Sequence, residues 1–256
     1  MTDHATPSDV PRAARQWLGT AGATGLLALA GVGGLAAGWG GTVPPGFLVG
    51  SAVAFAFLAG VVWRCLGAAR RDAGPEPITG ATWITLVRGS AAVVLAGFLV
   101  AEPPGGAVAW VPGVLFAAAA ALDAVDGAVA RATDSVSAVG GRLDVEIDSA
   151  SVLVGSALAV SYGGAPAAFL LVGFARYAFV AGIHARRRRG RTVSDLDPSD
   201  RRRAVGALTM VVTCLVLLPS PGESLSWLLA ILVLGPFLAS FARDWLVVSG
   251  RIEGAH

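Results

Sequence analysis

The chain has 256 residues, of which 55% are hydrophobic and only 14% charged, and its mean hydropathy is +0.69. Soluble domains run nearer a quarter charged, so this composition excludes an ordinary soluble protein and predicts a polytopic, all-α integral membrane protein. The net charge of +2 says little, but all 19 basic residues are arginine and their placement is uneven. Cys65 and Cys214 lie in different apolar stretches and the histidines are scattered, so neither a disulfide nor a zinc site is expected. No nucleic acid is expected as a partner.

Residues 1–16 read as a short polar cytoplasmic tail, without the basic start and apolar core of a signal peptide. Apolar runs at 17–39 and 47–63 follow, separated by GGTVPPG. Each is long enough to span a bilayer, and their many small residues allow close helix packing. Neither has a charge in its interior, so neither is assigned chemistry. The linker RRDAGPEPITG contains Pro75 and Pro77, which preclude a continuous helix there. Residues 17–78 are thus expected to form a two-helix N-terminal membrane extension and linker.

Six more spans are predicted at 82–100, 108–130, 138–160, 167–184, 204–218 and 225–248. They define a six-helix membrane core over 79–249, with a short tail at 250–256. The turns at 40–46, 101–107, 161–166 and 219–224 contain no arginine. The opposite ends hold Arg12, Arg15, Arg64, Arg70, Arg71, Arg131, Arg142, the 186–191 and 201–203 clusters, and Arg251. By the positive-inside rule those ends are cytoplasmic, and with eight spans so are both termini of a multi-pass cell-membrane protein.

The chemistry is concentrated between Asp123 and Asp148. On a helix, Asp123 and Asp126 share a face, with Ala130 one turn on. Asp144 and Asp148 share another, with Gly140 one turn before them, whereas Glu146 is two residues from each and faces away. Two helices meeting on these faces gather four carboxylates. A charge at mid-membrane costs roughly 2.5–3.5 kcal/mol, so four cost on the order of 10 kcal/mol unless something cationic neutralises them. All-oxygen ligands favour Mg²⁺ or Mn²⁺. The competing reading of intramembrane carboxylates is a proton or cation relay in a transporter.

Asp123, Asp126, Gly127, Ala130, Arg131, Gly140, Asp144 and Asp148 also fill a spaced signature without a gap. It runs Asp, two residues, Asp-Gly, two residues, Ala-Arg, eight residues, Gly, three residues, Asp, three residues, Asp. In this the chain resembles the CDP-alcohol phosphotransferase (CDP-alcohol phosphatidyltransferase) family, from residue 79 to its end. The resemblance implies a transferase of phospholipid biosynthesis. Such an enzyme moves a phosphatidyl-type group from a CDP-linked lipid, such as CDP-diacylglycerol, to an alcohol acceptor and releases CMP. It also implies two divalent cations, Mg²⁺ or Mn²⁺, on Asp123, Asp126, Asp144 and Asp148, with Asp148 placed to take the proton of the attacking hydroxyl. Arg131 is expected to pair with the diphosphate, and Gly127, Ala130 and Gly140 to leave room for it. Thr82, Thr85 and Ser137 match positions that contact the CDP moiety, and for Thr82 the alternative is a helix N-cap.

For the acceptor, Arg176, Arg201, Arg202 and Arg203 are the expected contacts, as arginine forks suit a phosphorylated alcohol. Arg176-Tyr177 stands where relatives using glycerol 3-phosphate carry Arg-Glu, which leaves the acceptor open. Within the family the alternative is transfer to a second lipid, as in cardiolipin-type synthesis. Outside it, the alternative is a non-catalytic, ion-coupled membrane protein. The family's usual state is a homodimer. Arg88 is expected to be functional because it lies inside a span, without an assigned role, and Arg243-Asp244 is expected to form an internal pair.

Overall fold

The computed structural model describes residues 9–74, 77–132, 137–197 and 199–252, with side chains described outside 9–13, 73, 124 and 126–132. The described residues form eight α-helices. They are α1 (Asp9–Gly38), α2 (Pro45–Ala73), α3 (Gly80–Gly97), α4 (Val111–Ala132), α5 (Ala138–Ser161), α6 (Leu170–Arg188), α7 (Asp200–Leu217) and α8 (Glu223–Val248). Each coincides with a predicted apolar run. The boundaries follow local chemistry. Gly40 and Gly41, with φ of 69° and 95°, turn the chain between α1 and α2. Helix α2 runs through Arg70 and Arg71, further than the predicted linker allows, and stops at Gly74 with φ 81°, just ahead of the prolines. Thr79 caps α3, its side chain accepting from the Thr82 backbone N–H at 3.3 Å. The N-cap alternative for Thr82 is therefore replaced, since Thr82 sits inside the first turn.

The expectation of eight spans is met only in part. Six helical segments among the described residues are long and apolar enough to cross a membrane: Ala14–Gly38, Pro45–Asp72, Gly80–Gly97, Gly106–Asp123, Ala167–Arg188 and Glu223–Val248. Helices α5 and α7 fall short for a physical reason. The first turns of α5 carry Arg142, Asp144, Glu146 and Asp148, and α7 opens on Asp200 and three arginines within only 18 residues. On α1, α2 and α8, large apolar side chains such as Leu26, Leu29, Val53 and Leu232 are more than 60% exposed. Faces of that kind suit hydrocarbon rather than water, and the chain is a multi-pass membrane protein.

The chain divides into two compact units, Met1–Ser151 and Val152–His256. In the first, α1, α2 and α4 all pack on α3. A Cβ on Gly50 would meet the Ala96 carbonyl oxygen at 3.0 Å and Gly97 Cα at 3.1 Å, so the backbones of α2 and α3 touch. Trp39, Phe47 and Phe98 meet edge-on or tilted at ring-centroid separations of 4.9 to 5.8 Å, pinning the α1–α2 turn to the end of α3. Ser90 donates to the Thr24 carbonyl of α1 at 3.2 Å, and Trp17 donates to Ala59 of α2 at 2.8 Å. Because α3 is enclosed, the consecutive residues Arg88, Gly89 and Ser90 are all buried although they point to different sides.

In the second unit, α6 and α7 pack on α8. Phe179 meets Phe241 and Trp245 edge-on at 5.5 and 5.7 Å. The loop after α6 is fastened to the end of α8: Arg186 donates to the carbonyls of Thr192 and Ser249, and the Ser194 N–H donates to Val248.

Candidate active site

Helix α3 carries Arg88, which is 2% exposed. A buried guanidinium is tolerable only when paired and hydrogen-bonded. Its Nη1 lies 2.7 Å from Asp123 Oδ1 of α4 and 2.6 Å from Asp144 Oδ1 of α5, and its Nη2 lies 3.5 Å from Asp148 Oδ1. Carboxylates more than twenty residues apart in sequence thus converge on one cationic point. Asp144 and Asp148 share a face, as their spacing predicts. The carboxylates are not enclosed with the arginine: the side chains of Asp123, Asp144 and Asp148 are 42, 41 and 40% exposed, which leaves them open to a ligand. Asp126, Gly127, Ala130 and Arg131 belong to α4, but their side chains lie outside the described residues.

The starts of α3 and α5 meet through hydroxyls. Ser137 caps α5, its Oγ accepting from the Gly140 N–H at 2.9 Å. Thr82 Oγ1 lies 3.3 Å from Ser137 Oγ and 3.0 Å from Thr79 Oγ1. A Cβ on Gly140 would sit 2.8 Å from Thr82 Oγ1 and 2.9 Å from Ser137 Oγ, so the missing side chain is what lets the two helix ends close. Thr82, Thr85 and Ser137 are all buried, and Thr85 Oγ1 donates to the Ala81 carbonyl. The structure therefore brings Thr82, Ser137 and Gly140 together. On another side of α5, Arg142 pairs with Asp72 at the end of α2, and Glu146 lies within electrostatic range of Cys65. Asp144 and Asp148 look towards Arg88.

In the second unit the arginines are in surplus. Asp244 of α8 is buried, and its Oδ1 accepts from Arg201 Nη2 at 3.0 Å, with Arg202 Nη1 at 3.5 Å. The expected Arg243–Asp244 pair is replaced by this one, because adjacent helix residues point apart and Arg243 is exposed. Arg202 also donates to the Asp197 carbonyl. Arg203 pairs with Asp200 at 2.7 Å, both of them well exposed, where an ion pair contributes little. Arg176 stands exposed on α6.

The family model for CDP-alcohol phosphatidyltransferase matches residues 78–246, which contain the carboxylate cluster with Arg88 and the Asp244 cluster with Arg201 and Arg202. The chain belongs to the CDP-alcohol phosphatidyltransferase family. No curated protein and no solved structure matches it significantly. As a member of this family it is an enzyme, a transferase of phospholipid biosynthesis that takes a phosphatidyl-type group from a CDP-alcohol and passes it to an alcohol acceptor. That decides against the ion-coupled alternative. Helices α1 and α2 precede the matched region.

Enzymes of this family generally use a divalent metal; no three described side chains are arranged around a metal position, but the chemistry of the donors suits one. The described carboxylates supply hard oxygen ligands from two helices, they already converge on a positive centre, and they remain partly exposed.

Proposed function

We propose that this enzyme transfers the phosphatidyl-type group of a CDP-linked lipid, such as CDP-diacylglycerol, to an alcohol, with CMP leaving, at the carboxylates of Asp123, Asp126, Asp144 and Asp148. The observation that carries this reading is the convergence of Asp123, Asp144 and Asp148 on one cationic point. When bound there, two divalent cations, Mg²⁺ or Mn²⁺, would neutralise the diphosphate and stabilise the attacking and leaving oxygens. The chain's own residues do the rest. Asp148 accepts the proton of the acceptor hydroxyl. Arg131 pairs with the diphosphate, and Gly127 and Ala130 leave the phosphates room beside α4. The Thr82–Ser137–Gly140 junction, with Thr85 one turn on, borders the CDP moiety.

The acceptor in this reading is a phosphorylated alcohol, inositol phosphate or glycerol 3-phosphate, with Arg176 and Arg201–Arg203 as its anion-binding group. Support comes from Arg201 and Arg202, which the buried Asp244 holds in place without cancelling their combined charge. Transfer to a second lipid is the alternative. Mass spectrometry of the lipids made by purified protein from CDP-diacylglycerol and a panel of acceptors tests both. A product carrying a phosphomonoester is expected. Turnover only with an unphosphorylated alcohol such as serine or inositol would overturn the acceptor assignment, and cardiolipin formation would favour the alternative.

The reading also divides the chain into an N-terminal extension over 17–78 and a catalytic core over 79–249, with the site on the cytoplasmic side. The one-sided arginines support that orientation. A cysteine introduced in the 40–46 turn should react with an impermeant reagent from outside, and one near Asp195 only after permeabilisation. The reverse pattern would sink the orientation.

A further inference from the structure

Arg88 lies against one oxygen of each described carboxylate in the cluster assigned above to metal. Its Nη1 lies 2.7 and 2.6 Å from Asp123 Oδ1 and Asp144 Oδ1, and its Nη2 reaches towards Asp148. It is also the largest fully buried side chain among the described residues, on a helix that α1, α2 and α4 enclose. Its neighbour Gly89 is wedged against α2 and α5: a Cβ there would meet Leu58 Cδ2 at 2.9 Å and Ile147 Cδ1 at 3.1 Å. That packing fixes how α3 is turned, and so where the guanidinium points.

We propose that Arg88 is a resident counter-cation and positioning residue, which holds Asp123, Asp144 and Asp148 together before metal binds and competes with the metal for their oxygens. The inference rests on the metal-ligand reading given above. Three carboxylates this close repel one another and strain the packing of α4 against α5's partner helix α3 unless a cation sits among them. Arg88 supplies one charge permanently, and the three described carboxylates outnumber it, leaving net negative charge for an incoming ion. An entering divalent cation would meet a like charge and share carboxylates already engaged in charge-assisted hydrogen bonds. Arg88 therefore stabilises the metal-free site and weakens metal binding. These effects have opposite signs. An arginine with a purely structural role would lower stability with and without metal alike and leave metal affinity unchanged.

The experiment uses the full-length protein in detergent micelles, with free Mn²⁺ counted by electron paramagnetic resonance and unfolding followed by tryptophan fluorescence. In chelator, Arg88→Gln should unfold several degrees below the parent. Its Mn²⁺ dissociation constant should fall by about tenfold, within the usual range of coupling between two ligands. Arg88→Lys keeps the charge but loses the planar fork, and should lie between them. If Arg88→Gln does not fold, Arg88→Lys decides by the same criterion. Arg142→Gln, which removes the ion pair to Asp72, should leave Mn²⁺ affinity unchanged and controls for a general loss of charge. A Mn²⁺ affinity that is unchanged or weaker in the Arg88 variants overturns the role given to Arg88 and leaves the metal site standing. A folded parent that binds no Mn²⁺ overturns both.

Discussion

Two mixed-charge clusters, one in each unit, are built from the same two residue types in opposite proportions. Around Arg88, one buried arginine meets three half-exposed aspartates. Around Asp244, one buried aspartate meets two arginines that keep part of their surface open. In each, the minority charge is the buried one and acts as an anchor, while the majority charges lie nearer the surface with some of their charge unneutralised. The sign of that surplus sets what each cluster attracts. The first is suited to cations, and the second to an anion such as a phosphate. A salt-bridge count would treat the two as alike; stoichiometry and burial separate them.

The comparison breaks most sharply at the carboxylates. Asp144→Asn and Asp148→Asn should each lower CMP release by about 10²–10⁴-fold, through loss of a metal ligand and, for Asp148, of the base. The check is CMP release from CDP-diacylglycerol by protein shown to be folded by size-exclusion chromatography. A folded Asp148→Asn protein working at the parent's rate would remove both roles given to that residue. At the arginine-rich cluster the expected change is smaller and different in kind. Arg201→Ala with Arg202→Ala should raise the acceptor KM by about tenfold or more, the loss of charge-assisted hydrogen bonds, and leave the metal concentration for half-maximal rate alone. A change in metal response with no change in acceptor KM would show that the two clusters are not separate in function.

Much of this architecture is legible in the sequence. Apolar run lengths give the helices, and Gly74 with Pro75 and Pro77 marks the break before α3. The i, i+4 spacing puts Asp144 and Asp148 together and turns Glu146 away. What the sequence hides is which charges pair. Arg88 has Ile84, Thr85, Ala91 and Ala92 at three and four residues' distance, so no local acid reveals its partners. Asp244 has an arginine beside it in sequence, but its partners lie more than forty residues away on α7. The role of Gly140 is similar. Its spacing in the signature marks it, whereas the reason for its size is the hydroxyl junction of Thr82 and Ser137, which only the packing of α3 on α5 creates. Six of the eight predicted spans have apolar stretches long enough to cross a membrane among the described residues, and charges at the starts of α5 and α7 shorten theirs.

Gly140→Ala should destabilise the protein by about 1–3 kcal/mol, the usual cost of overpacking, because Thr82 and Ser137 must shift to admit the new methyl group. Thermal unfolding in chelator measures it, and an unfolding midpoint equal to the parent's would show that the junction has slack. The smallest effect is expected at Glu146. Glu146→Gln should change CMP release less than about threefold and leave its metal dependence intact, since substitutions away from the reacting centre act weakly. A folded but dead Glu146→Gln protein with no metal response would mean that the wrong carboxylate of α5 has been placed in the site.

If the Asp123–Asp144–Asp148 cluster is the metal-bearing end of a phosphatidyl transfer, turnover must follow metal occupancy. The most direct test is CMP release by the purified, folded protein from CDP-diacylglycerol plus acceptor, titrated with Mn²⁺ or Mg²⁺ after exhaustive chelation. No release is expected in chelator, with saturable recovery as metal is added back and one lipid product formed per CMP. Release that is indifferent to chelation, or no release at any metal concentration across the acceptor panel, would contradict that role for the cluster.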